Sequence, residues 1–145
     1  MADAGQTIAD ALADHLSAQD LQFGFSAISP DDPAAEINFD GAGEPHPGTL
    51  VFVVPVEDTE ERIDRGSVQV SPVVNVFVSR WLSADGVTRR TMGDFMADLR
   101  GAIRFKSQAG YAWQQTQTIT KYDPDKLRTQ DRFFSVLGVT YLGVL

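Results

Sequence analysis

Residues 67–82 read SVQVSPVVNVFVSRWL, and their alternation decides the fold. Val68, Val70, Val74, Val76, Val78 and Leu82 fall on one face, opposed by Ser67, Gln69, Ser71, Asn75 and Ser79. That is the period of two of a half-buried β-strand. Pro72 lacks the N–H that a ladder needs, so an edge position, a bend or a bulge is expected there. Upstream, TLVFVVPV from Thr49 to Val56 is apolar on both faces, which predicts a central strand covered on both sides, with Pro55 near its end. The ten residues between these strands hold seven charges: Glu57, Asp58, Glu60, Glu61, Arg62, Asp64 and Arg65. Unpaired charges are too costly to bury, so residues 57–66 are read as a hairpin arm lying in solvent or against a partner.

Working outward, Ile8, Leu12 and Leu16 recur every four residues within 6–18 and predict an amphipathic helix starting near Gln6 or Thr7. Leu21, Phe23, Phe25 and Ala27 alternate with polar or small residues as a short strand does. Residues 29–48 carry four prolines and three glycines, which reads as a long surface loop. After the turn signal Asp85-Gly86, Thr88 or Thr91 is placed to cap a second helix, with Asp94 completing a weak capping box after Thr91. Met92, Phe95, Leu99, Ala102 and Ile103 form its apolar stripe. Tyr111 to Tyr122 reads as a strand, Asp123-Pro124-Asp125 as a turn, and residues 131–145, DRFFSVLGVTYLGVL, as a last long strand. The expected fold is one α+β domain over 1–145, in the order α-β-β-β-α-β-β. Its sheet should be mostly antiparallel, with both helices packed on one face.

Composition narrows function. With 43% hydrophobic and 22% charged residues the chain belongs with ordinary globular domains. Its longest apolar run is far shorter than a membrane helix needs, and it opens without a basic, apolar leader, so a cytoplasmic product is expected. It has no cysteine, which excludes disulfides, thiolate metal sites and thiol nucleophiles. His15 and His46 have no ligand at metal-site spacing. No Gly-x-Ser-x-Gly turn or phosphate-binding glycine loop occurs, and Gly41-Ala42-Gly43 is only part of one. The acidic run 57–64 has the residue types for a divalent cation or a glycosidase pair, but a solvated hairpin reads more simply. No enzyme, cofactor or metal is expected.

Charge is uneven. Residues 1–66 hold 14 acids against Arg62 and Arg65, net −12, whereas residues 67–145 hold 6 acids against 10 Lys/Arg, net +4. Such asymmetry suits head-to-tail contact between copies, and it also arises without any function. The overall −8 argues against tight nucleic-acid binding. Arg89, Arg90, Arg100, Arg104 and Lys106 make a basic strip around the second helix, suited to phosphate, to a partner's acidic patch or to solvent alone. Trp81, Tyr111, Trp113 and Tyr122 are candidate interface anchors or ordinary packing residues.

The layout resembles the tail terminator proteins of long-tailed bacteriophages, which cap the tail tube and join it to the head-completion proteins. The resemblance spans nearly the whole chain. It rests on the first helix (Ile8, Leu12, Leu16), TLVFVVPV, the charged segment ending in Arg62 to Arg65, VQVSPVVNVFVSRWL, the helix DFMADLRGAIRF and the closing strand FFSVLGVTYLGVL. It implies a homohexameric ring in the virion, at the head-proximal end of the tail, assembled in the host cytoplasm. Tail tube and neck or head-completion proteins would be its partners. DNA would pass through the lumen without specific binding. The 29–48 loop has no counterpart in that layout. The alternatives are another ring-forming neck, head-completion or tube protein, or a small ligand-binding domain with the 29–48 loop as a lid.

Overall fold

A computed structural model describes residues 3–19, 25–29, 49–82, 88–125, 128 and 132–145. Its elements are α1 (Ala4–Ser17), β1 (Phe25–Ile28), β2 (Thr49–Arg62), β3 (Val68–Trp81), α2 (Arg89–Ile103), β4 (Ala112–Thr120) and β5 (Arg132–Val144). The order is the expected α-β-β-β-α-β-β. Residues 21–24 of the first expected strand, nearly all of the 29–48 loop, His46 and Asp85-Gly86 lie outside the described residues.

The five strands form one sheet in the order β1-β2-β3-β5-β4. Every pairing is antiparallel except β1 with β2, which is parallel. Because β5 enters between β3 and β4, β3 is a central strand and Pro72 does not lie at an edge. Instead the β3–β5 register passes over Ser71 and Pro72, and the bulge falls on the facing strand, between Pro55 and Glu57. The extra residue there, Val56, changes which side chains face the helices. Val51 and Val53 face them before the bulge, Asp58 and Glu60 after it, as their pairing with Val78, Val76, Pro72 and Val70 requires.

Both helices cover the same face. Ile8, Leu12 and Leu16 of α1 join Phe95, Leu99 and Ile103 of α2 in one buried cluster with Val53, Val74, Val76, Leu137 and Val139. His15 links the two helices: its Nε2–H donates to the Ala102 carbonyl at 2.9 Å, so this histidine serves packing. Helix α1 starts earlier than its apolar stripe suggests, because the Asp3 carboxylate accepts from the Gly5 and Gln6 N–H groups as N-cap. At α2 the capping box joins Thr88 to Thr91, displacing the expected Thr91–Asp94 pair.

The other face is not uniformly polar. Phe52, Ser79, Val136 and Arg132 are buried on it. Arg132 Nε–H donates to Ser79 Oγ at 2.7 Å, with its guanidinium 5.4 Å from the Phe134 ring centroid.

Tyr141 lies buried within the cluster, and its hydroxyl has no hydrogen-bond partner among the described residues. Burial pushes the phenol well above its ordinary range. The unfolded chain therefore ionises first, so stability holds below the ordinary tyrosine range and falls as pH rises beyond it. Tyr141→Phe removes an unsatisfied group and should stabilise by about 1 kcal/mol. It should also flatten the alkaline loss, both read from denaturant melts at neutral and alkaline pH.

Candidate functional site

Every charged residue of the expected arm is exposed, but most of them lie in a strand. Glu57, Asp58, Glu60, Glu61 and Arg62 form the outer half of β2, paired with Val73 through Val68 of β3. Asp64 and Arg65 lie in the turn that follows. That turn is tied locally: the Ile63 N–H donates to the Ser67 carbonyl at 3.1 Å, and the Gly66 N–H to Asp64 Oδ1 at 2.8 Å. On its inner side the arm is supported by β3, which in turn pairs with β5 as far as Gln69–Val144. On its outer side β1 pairs only with Thr49–Phe52. From Val53 outward, β2 is an edge among the described strands.

The acidic edge carries its own repulsion. The pKa of Asp58 is raised by partial burial, then by the neighbouring carboxylates of Asp3 and Glu60. The folded state therefore holds this proton more tightly, and the group's contribution is lost as pH rises through the aspartate range. Asp58→Asn should give a small rise in Tm at neutral pH that vanishes in acid, where both proteins are uncharged at this position. A thermal melt at the two pH values checks it.

The two ends of the sheet are treated differently. At β1, the Ser17 hydroxyl donates to the Ala27 carbonyl at 2.9 Å and accepts from the Ala27 N–H at 3.0 Å, so the middle of that edge is sealed by α1. At the opposite end β4 is the terminal strand, largely exposed and rich in Thr and Gln. It has register shifts at Trp113/Gln115 and Thr118/Thr120. Irregularities of this kind discourage unselective pairing at an open edge.

Beside β4 the helix stands off the sheet. A groove of about 300 Å³ runs between α2 and β4, with Met96, Phe133 and Leu137 among its apolar lining and Arg89, Arg100 and Lys121 on its walls. On the far side of Arg100 a second, more polar hollow is lined by Arg104, Trp113 and Gln115. Arg100 donates to the Thr118 hydroxyl, and the Arg89 guanidinium lies 5.2 Å from the Tyr122 ring centroid. Among the described residues, no carboxylate pairs with Arg89, Arg100, Arg104 or Lys121. Part of this site was visible in the basic strip of the second helix. Trp113 and Tyr122 were singled out as candidate anchors, but the contributions of Lys121 and Thr118 were not visible, because they depend on β4 lying alongside.

Among the described residues no group of three His, Asp or Glu is placed to hold a metal ion, and no helix is long and apolar enough to cross a membrane. No protein-family model matches this chain, and a search of curated proteins gives no match. The α+β fold is thus established by its own geometry.

Proposed function

We propose that this chain is a structural virion protein that closes into a ring capping a phage tail tube, ending tube growth and presenting a surface for the neck or head-completion proteins. The observation that carries this reading is the pair of unlike open edges on one sheet: the acidic outer half of β2 and the polar edge of β4 beside a basic groove. Unlike patches on opposite sides of one subunit make heterologous contacts, which generate closed rings when the rotation per subunit divides a full turn. The stoichiometry is that of the resemblance, a hexamer, and an acidic lumen would repel passing DNA rather than grip it.

Incubation with purified tail tube protein separates this role from its neighbours. A terminator stops at one ring alone and halts tube polymerisation when added. A tube subunit polymerises into long tubes by itself, and a protein that does neither would not be a terminator.

A further inference from the structure

The floor of the groove between α2 and β4 is core, with Met96, Phe133 and Leu137 at 7% exposure or less. Its rim is cationic, and Arg89, Arg100, Arg104 and Lys121 have no acidic partner among the described residues. Where the groove ends, Phe105 is 80% exposed and its backbone is left-handed, with φ 62°. This is the residue after the C-cap of α2, where glycine normally stands because a side chain is strained there. The Phe105 ring packs edge-on against Trp113, with centroids 5.2 Å apart. An exposed aromatic held in a strained conformation beside a cationic groove marks a surface built to be covered.

We propose that this groove is the socket for the outer half of β2 from a second copy of the chain, the contact resting on the ring reading above. Charge chooses the occupant. Asp58 and Glu60 on one face of the outer half of β2, and Glu57 and Glu61 on the other, supply anions for Arg89, Arg100, Arg104 and Lys121, which have no acidic partner among the described residues. Apolar ends match as well, because the acidic run is bracketed by Val56, 52% exposed, and Ile63, 50% exposed. Lengths agree. Val56 to Ile63 as an extended strand spans about 23 Å, and Arg89 to Arg104 along α2 spans about 22 Å. Alternate strand residues lie about 6.6 Å apart, close to the roughly 6 Å between Arg100 and Arg104 one helical turn away. A copy cannot fill its own socket, because its arm is fixed by pairing with β3, while β3 and β5 separate β2 from β4.

The test is a charge swap scored by mass in solution and by Tm. Arg104→Glu with Lys121→Glu reverses two exposed groove residues, and Glu60→Lys with Glu61→Lys reverses the arm. Each double variant should match the Tm of the wild type measured where the wild type is dissociated, yet assemble about 100-fold more weakly or worse, as expected when close interfacial charges become repulsive. Mixing the two variants, or combining all four changes in one chain, should restore assembly. A groove variant that assembles like the wild type, or a combined variant that stays dissociated, overturns the socket while leaving the ring reading standing. A wild-type protein that never assembles overturns both. Inorganic phosphate raising Tm with no rescue by the swap would instead make the groove a small-anion site.

Discussion

Phe95→Ala should destabilise the fold by about 3–5 kcal/mol, a loss of roughly 10 °C in Tm for a chain of this size. Phe95 is fully buried on the inner stripe of α2 with Met92, Leu99 and Ile103. On the β4 side the helix stands off the sheet, reached among the described residues only across the groove by the Arg100–Thr118 hydrogen bond and the Arg89–Tyr122 contact. Its main anchorage is therefore that stripe and the link from His15 to Ala102. Truncation removes the transfer energy of a large aromatic and leaves a void that the β-branched residues of the sheet are too stiff to fill. Phe105→Ala is the control. That ring is exposed and its backbone strained, so losing it should change stability by no more than about 1 kcal/mol while weakening assembly. Denaturant melts of the two variants, with mass measured in parallel, separate an interior aromatic from an interface one.

Reversing Glu60 and Glu61 to lysine should turn an assembling protein into a folded monomer. Both side chains are exposed on the outer half of β2, so the stability of the dissociated subunit should stay within about 0.5 kcal/mol of wild type. The pairing of Glu60 with Val70 and Glu61 with Gln69 is made by backbone and survives the change. What changes is the sign of the edge that meets the groove. Salt provides an internal check, since the screening length shrinks from about 10 Å at 0.1 M to about 3 Å at 1 M. Added salt should loosen the wild-type assembly and relieve repulsion in the lysine variant, two responses of opposite sign. A lysine variant that assembles normally removes the arm from the interface.

The order of elements was legible because each one carries its own period. Val68 to Val78 alternate, Ile8, Leu12 and Leu16 step by four, and Met92 to Ile103 follow a helical stripe. What the periods do not encode is which strands pair. The insertion of β5 between β3 and β4 made β3 central and left Pro72 inside the sheet, with the compensating bulge on the opposite strand at Val56. The parallel pairing of β1 with β2 was likewise unmarked. The first helix starts ahead of its apolar stripe because Asp3 caps it, whereas Thr88, one of the two caps expected for the second helix, is its N-cap. The arm was readable as charge but not as an edge strand. Of the groove, the cations on α2 could be seen, because Arg100 and Arg104 are one turn apart in sequence, and Trp113 and Tyr122 stood out as candidate anchors without a place. Lys121 and Trp113 join them only through the register of β4 on β5, and the left-handed backbone of Phe105 had no signal at all.

If unlike edges of one sheet meet between copies and close a ring, the ring should be visible in the purified protein. Light scattering with negative-stain imaging, over a range of concentration and at low and high salt, should give a discrete ring of about six subunits with a central hole, dissociating as salt rises. A monomer at every concentration and salt, or open-ended tubes with no defined mass, would show that the edges do not close a ring.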